Sequence, residues 1–394
     1  MDNAYRQIDR ESILPIARSL IGIPSVSGDE RAVMEWVLEW ATALGLGLTV
    51  IARDEDRPNL ILSIGDPMSG PTIAMNGHLD VVPVSDPDAW RSDPFTPVVS
   101  EDGVRLFGRG ASDMKASVAV MLATMAYFRD HALAGCLQAH IVVDEELSGH
   151  FGTLAVIEAI QQGTIPRPTY CLIGEKSDLK VRNAERGILQ INVTVLGRAS
   201  HTAAARASGI NAIALAAKAI LALEHDIDMF HPSVGKPVIS INLISGGVAH
   251  NVVPGECTFS IDRRLIPGET KELVVAGIEE IFAGVAADDP RFRYSMDVDP
   301  NGDFIAANIT DADSPLVEAV WDASREVRGQ EPEFFVQWAG ATDGRYYRQI
   351  GIDTVGYGPG GENAHGANEA VYIDDLVVQA RVYARTIERL LGAG

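Results

Sequence analysis

Thr72-Ile73-Ala74-Met75-Asn76-Gly77-His78-Leu79-Asp80 joins a short apolar run to a glycine, an imidazole and a carboxylate. A run of this length reads as a buried strand over 72–76. The same order recurs along the chain. A strand-like run at 137–143 leads into Asp144-Glu145-Glu146, and one at 169–173 leads into Gly174-Glu175-Lys176-Ser177. A third, at 353–357, leads into the loop that carries Gly358, Gly360 and His365. Between the strands at 72–76 and 137–143, Gly108-Arg109-Gly110-Ala111-Ser112-Asp113-Met114-Lys115 opens a long apolar helix. Helical patterns at 31–44, 114–131 and 152–161 alternate with these strands and with one at 59–64. The alternation predicts an α/β fold with helices on both faces of a sheet. In open sheets of this kind, ligands bind beyond the carboxyl ends of the strands. Imidazoles and carboxylates recur at that edge.

The middle of the chain reads differently. Residues 188–196 alternate apolar and polar with period two, and a helix follows at 211–225. Strands at 238–244 and 257–263, a helix at 271–286 and a strand at 292–298 complete the order β-α-β-β-α-β. That order is the ferredoxin-like split unit, which can bury one sheet face under two helices. Helical patterns then resume at 314–327 and 373–391. The predicted layout is one domain of residues 1–185 and 300–394 interrupted by a second of 186–299. The turn cluster Asp299-Pro300-Asn301-Gly302 suits the return crossing.

Composition narrows the function. Lys and Arg total 32 of 394 residues against 54 Asp and Glu, a formal charge of −22. A nucleic-acid partner is not expected, because it needs a basic face to replace phosphate counterions. Nor is attraction to an anionic membrane surface. No stretch approaches the roughly 18 uninterrupted apolar residues of a membrane span. Cys136, Cys171 and Cys257 are scattered, with no CxxC pair. Together with an N-terminus lacking an apolar signal core, they suit a reducing cytoplasm.

Histidines with several carboxylates and no cysteines suit a catalytic metal site, since structural zinc favours thiolates. With this many carboxylates a pair of metals sharing one of them becomes plausible. Taken together, Gly-His-Leu-Asp-Val-Val-Pro (77–83), Gly-Arg-Gly-Ala-Ser-Asp-Met-Lys (108–115), Asp-Glu-Glu (144–146), Gly-Glu-Lys-Ser (174–177) and His-Gly-Ala-Asn-Glu (365–369) resemble one family. It is the di-zinc metallopeptidase family of acetylornithine deacetylase, succinyl-diaminopimelate desuccinylase, aminoacylase and carboxypeptidase G.

The resemblance implies a zinc-exopeptidase-like mixed-sheet domain with an inserted lid and dimerisation domain. It implies two Zn2+, with Co2+ or Mn2+ as substitutes. His78 and Glu175 would hold one ion, Glu146 and His365 the other, and Asp113 both. Glu145 would be the general base, and Asp80 would fix the His78 tautomer through its second nitrogen. Gly-Arg-Ala-Ser-His-Thr (197–202) resembles the segment whose histidine, here His201, polarises the scissile carbonyl. Asn251 and Arg264 resemble the grip on the substrate carboxylate, and Gly360 lies in the loop lining the substrate.

The expected reaction is metal-assisted hydrolysis of an N-acyl amino acid, with a dipeptidase or carboxypeptidase as the alternative, in a homodimer. Residues 356–361 also match GxGxxG, but no helix pattern follows directly, as dinucleotide binding requires. Lys176, Ala116 and the stretch Ser148-Gly149-His150-Phe151-Gly152 depart from the commoner family pattern. They bear on substrate preference.

Overall fold

The computed structural model describes residues 7–147, 149–336 and 340–392. Ser148 lies outside them. The described residues fall into two compact units. The first lies within Met1–Asn183, Thr310–Phe335 and Thr342–Gly394, the second within Ala184–Ile309 and Val336–Ala341.

The first unit is built on a six-stranded mixed sheet. Its order is Gly47–Ile51, Asn59–Gly65, Cys136–Val142, Thr72–His78, Tyr170–Ile173, Asp353–Gly356. The last four strands run parallel, and the first two form an antiparallel edge. Thr72–His78 and Cys136–Val142 are buried along their whole length, as parallel strands covered on both faces must be. Side chains alternate between two cores. Ile73 and Met75 join a core with helices Arg10–Gly22, Lys115–Phe128 and Ile373–Leu391. Ala74 joins one with Thr153–Gln161 and Gly344–Gln349. The expected α/β class is the one observed.

Helix Lys115–Phe128 is apolar all round because it is buried almost throughout. Gly77 and Gly174 let its first turn press on the sheet edge. A Cβ on Gly77 would lie 2.8 Å from Met114 Cε, and one on Gly174 2.4 Å from Met121 Cε. Lys115 Nζ donates to the carbonyls of Leu20 (3.0 Å) and Ile23 (2.6 Å). Helix Arg10–Gly22 has no basic residue in its last turn, so its exposed carbonyls are met by this lysine instead. Burial pulls Lys115 down to about 7.

A separate small sheet runs Gly361–Glu362, Ala370–Tyr372, Arg105–Phe107, Val98–Val99. Strands of two or three residues carry no readable period, so the sequence does not announce it. Its pairing of Ala370 with Phe107 sets the loop after Phe107 beside the loop before Ala370.

The second unit has the β-α-β-β-α-β order, with a four-stranded antiparallel sheet ordered Val238–Gly246, Glu256–Leu265, Gly187–Leu196, Arg293–Val298. Helices Ala212–Leu223 and Lys271–Asp288 share its core, where Phe282 meets Phe259 and Phe292 edge-on. The chain turns at Asp299–Gly302 but stays with this unit until Ile309. Ile305 bridges to Ile188, and Asn308–Ile309 pairs with Ala184–Glu185. Among the described residues no helix is long and apolar enough to cross a membrane.

Gly358 ties the fold to the chemistry. A Cβ there would lie 2.2 Å from the Glu175 carbonyl oxygen and 2.5 Å from that of Gly174. Neither backbone atom can swing aside. Gly358→Ala is expected to lower stability by about 1–3 kcal/mol or more. Gly277→Ala, at an open helical position, is expected to raise it by about 0.5–1 kcal/mol. Urea unfolding of both variants checks this, and equal stabilities would refute it.

Candidate metal centre

The carboxyl ends of the four parallel strands deliver the site. His78 closes its strand, Glu175 follows Tyr170–Ile173 by two residues, and Glu145 and Glu146 sit in the turn after Cys136–Val142. Asp113 precedes helix Lys115–Phe128. These side chains converge on Asp113. Its Oδ1 lies 3.2 Å from His78 Nε2, and its Oδ2 lies 3.1 Å from His365 Nε2. Each imidazole faces one further carboxylate, His78 that of Glu175 at 3.3 Å and His365 that of Glu146 at 3.1 Å. Donor atoms of His78, Glu145 and Glu175 lie within 4.8 Å of one another, as do those of His78, Asp113 and Glu146.

Asp80 does more than the sequence suggested. The nearer acceptor for His78 Nδ1 is the Asp80 backbone carbonyl at 2.9 Å, and the carboxylate oxygen is 3.4 Å away. The carboxylate is occupied elsewhere. It accepts the backbone N–H groups of Glu145 (3.1 Å) and Glu146 (3.2 Å) and the Ser27 hydroxyl (2.7 Å). Asp80 thus joins the His78 strand to the Glu145–Glu146 turn.

That turn has a second support that sequence reasoning missed. Buried Arg57 donates to Glu30 (2.6 and 2.9 Å) and to Asp144 Oδ1 (2.7 Å). Asp144 adopts a left-handed φ of 66°, a costly conformation for a residue with a side chain. The ion pair and the bond from Phe151 N–H to Asp144 Oδ2 (3.1 Å) hold it there. Phe151, the bulky departure from the family pattern, packs its ring 4.7 Å from the Arg57 guanidinium. The Arg-Pro-Asn-Leu context of Arg57 carries no signal that marks it as functional.

Burial and crowding shape the charges. Burial pushes Glu145 well above the ordinary carboxylate range, helped by Glu175, Asp343 and Asp113 and opposed by His78. Burial and the Asp113 charge push Glu175 up to about 7. Burial works against charge on Asp113 as well, but hydrogen bonds from His365 and His78 overcome it and hold the carboxyl well below its usual range. Asp113 and Glu146 raise His365 to about 10. Burial opposes charge on His78, yet its three carboxylate neighbours raise it as well.

Gly360 also belongs to this unit. Its N–H donates to Asp375 Oδ2 (2.9 Å), and its carbonyl accepts from Tyr372 N–H (3.1 Å). Both its backbone groups are engaged, so the glycine shapes the loop and has no free N–H to offer a ligand.

In the second unit His201 is exposed, and its Nδ1 accepts from Ala203 N–H at 3.2 Å. A neutral ring then carries its proton on Nε2, which becomes a donor. Asn251 is its neighbour, because Thr202 N–H donates to the Asn251 carbonyl (3.0 Å) and His201 pairs with Val252. Arg264 lies on another strand and spends its fork on Asp262, at 2.7 and 3.1 Å.

The donor chemistry fits a pair of divalent ions. Two imidazoles each face their own carboxylate and share a third, with no thiolate, as intermediate metals such as zinc, cobalt and manganese accept. Glu146 Oε1 is buried without a hydrogen-bond partner, an acceptor suited to a cation.

Comparison with known proteins bears on the fold and the family. Aminopeptidase PepT from Bacillus cereus ATCC 10987 shares the fold with a TM-score of 0.77 at 20% identity, over 97% of this chain and 99% of that one. The YXEP protein of Bacillus subtilis, described as a dinuclear metal binding peptidase from M20 family, matches with a TM-score of 0.72 at 18% identity over 100% of both chains. Human carnosine dipeptidase 1 matches with a TM-score of 0.69 at 17% identity over 98% of both. A model of peptidase family M20/M25/M40 matches residues 74–389, the span that holds His78, Asp113, Glu145, Glu146, Glu175 and His365, and the chain belongs to that family of hydrolases.

Proposed function

We propose that this chain hydrolyses the amide bond of an N-acyl amino acid, using two divalent ions held by His78, Asp113, Glu146, Glu175 and His365. The observation that carries this reading is the Asp113 carboxylate, with one oxygen 3.2 Å from His78 Nε2 and the other 3.1 Å from His365 Nε2. Zinc is the expected metal. When bound, such ions polarise a carbonyl and lower the pKa of water. His78 and Glu175 would hold one ion, His365 and Glu146 the other.

Glu145 takes a proton from the attacking water and gives it to the leaving nitrogen as the C–N bond breaks. A carboxylate whose affinity for a proton is raised by burial is matched to that task. His201 donates from Nε2 to the carbonyl oxygen as negative charge develops there. Asn251 and Arg264 hold the substrate carboxylate, with Arg264 exchanging Asp262 for it.

A second reading, cleavage of short peptides, draws support from the aminopeptidase and dipeptidase among the similar folds. We also propose a cytoplasmic homodimer. Its contact would lie on the edge strand Val238–Gly246, where Leu243 and Ile244 are exposed; a monomer in sedimentation velocity would count against it.

Three measurements test the reading. Glu145→Ala should keep the metal content of the wild type and lose about 10²- to 10⁴-fold in kcat; full activity would remove Glu145 from the mechanism. A panel of N-acetyl amino acids and dipeptides, run with a chelator control, separates the two readings. Within it, Arg264→Ala should raise KM for substrates bearing a carboxylate and spare those without one, and an equal effect on both would exclude Arg264 from the grip.

The third measurement uses pH. Without ions, Glu175 keeps its proton up to about 7 and His365 up to about 10. Both values lie above the ordinary 4.5 and 6.5. Their stabilisation is therefore complete below those ordinary values and is lost as pH rises through 4.5 to 7 and 6.5 to 10. Metal-stripped protein should melt at falling temperature from pH 5 to pH 9. Metal ions displace those protons, so affinity should rise over the same interval. A melting temperature independent of pH would contradict the assignment.

A further inference from the structure

Of the five proposed ligands His78 closes a strand and Glu175 and Glu146 follow strands within four residues, whereas Asp113 and His365 sit on loops. The His365 loop is strained, with Asn363, His365 and Asn368 all at φ of 55° to 65°. Non-glycine residues in that region cost about 1–3 kcal/mol each and persist only where the surroundings hold them.

What holds both loops is a buried ion pair. Glu369 is fully buried. Its Oε1 accepts the N–H groups of Ser112 (2.8 Å) and Asp113 (3.0 Å), and its Oε2 accepts Gly110 N–H (3.1 Å) and Arg109 Nη1 (2.6 Å). Arg109 is buried too, and its Nη2 donates to the His365 carbonyl at 3.2 Å. Its guanidinium lies 5.4 Å from the Trp90 ring, where a cation is stabilised by the aromatic face. The Glu369 backbone carbonyl adds a bond from Gly108 N–H (3.0 Å). One carboxylate therefore fixes the backbone of Asp113 directly and that of His365 through Arg109.

We propose that Glu369 is a positioning residue which, with Arg109, sets the affinity for the ion held by His365, Glu146 and Asp113. The inference rests on the metal reading above. The ion at His78 and Glu175 depends less on Glu369, because those two ligands are fixed by the sheet, by Asp80 and by the close approach of Gly358. Glu369→Gln keeps the shape but turns a donor toward Gly110 N–H and Arg109.

The test is calorimetric titration of the chelator-stripped full chain with Zn2+. The wild type should take up two ions. Glu369→Gln should bind one about 10- to 100-fold more weakly, the usual loss when a partner of a metal ligand is removed, and the other with a distinctly smaller loss. His365→Ala should weaken the same step. If Glu369→Gln fails to fold, Arg109→Lys replaces it: it keeps the charge, but one ammonium cannot span Glu369 Oε2 and the His365 carbonyl. Phe128→Leu, at the far end of helix Lys115–Phe128, serves as a stability control and should lower the melting temperature with both affinities intact. Wild-type affinity for both ions in Glu369→Gln, or equal weakening of both, overturns the inference and leaves the metal reading standing. A wild type that takes up no ion overturns the metal reading, and the inference with it.

Discussion

The half-buried Asp113 carboxylate has an imidazole on each of its oxygens, and the first unit is organised around keeping it there. A buried anion without partners costs several kcal/mol even after relaxation. Here Asp80, Glu145, Glu146 and Glu175 crowd the same edge, so each carboxylate worsens the burial of the next. Two imidazoles cannot neutralise five acids. Burial among these neighbours raises both Glu145 and Glu175, a pressure that a divalent cation would relieve. The acidity of the whole chain, −22 over 394 residues, is a separate matter, since these five are a small part of its 54 acids.

The scaffold meets this cost with backbone donors and buried cations. Asp80 spends its oxygens on the N–H groups of the turn that carries Glu145 and Glu146. Arg57 bridges Glu30 and Asp144 beneath that turn, and Arg109 neutralises Glu369 beneath the Asp113 loop. Each arrangement couples a strand or loop to another that is remote in sequence. A small error in one element would therefore be felt at every donor. Glycines at 77, 174 and 358 remove the side chains that would keep these elements apart.

Much of this was legible. The buried parallel strands announced themselves as short apolar runs ending in Gly-His, Asp-Glu-Glu and Gly-Glu, and the alternation of residues 188–196 announced the second sheet. The candidate site was legible because His78, Glu146 and Glu175 close or follow strands, where side chains are placed by a regular backbone, and because Asp113 and His365 stand in motifs of their own. Helix Arg10–Gly22 was missed because Pro15 interrupts its pattern. Strand Gly47–Ile51 was missed because its exposed residues show no alternation. The return crossing was read at the Asp299–Gly302 turn, since a turn is local chemistry, whereas the pairing of Asn308–Ile309 with Ala184–Glu185 is a long-range event with no local signature. Arg57, Arg109 and Glu369 were overlooked for the same reason. Two stood inside quoted motifs, but nothing in a motif says which of its residues faces the ligand and which faces the backbone.

The link from Arg109 to the His365 carbonyl spans 256 residues, and it gives the site a direction in time. Ribosomal synthesis yields His78, Asp113, Glu146 and Glu175 first, and His365 only 190 residues after Glu175. The growing polypeptide thus carries a lopsided donor set for most of its production. A cation met early would find the His78 half and a counterpart lacking its imidazole. The strand Ala370–Tyr372, paired with Arg105–Phe107, then closes the enclosure like a clasp. The candidate centre is assembled only once this later segment has joined the earlier one.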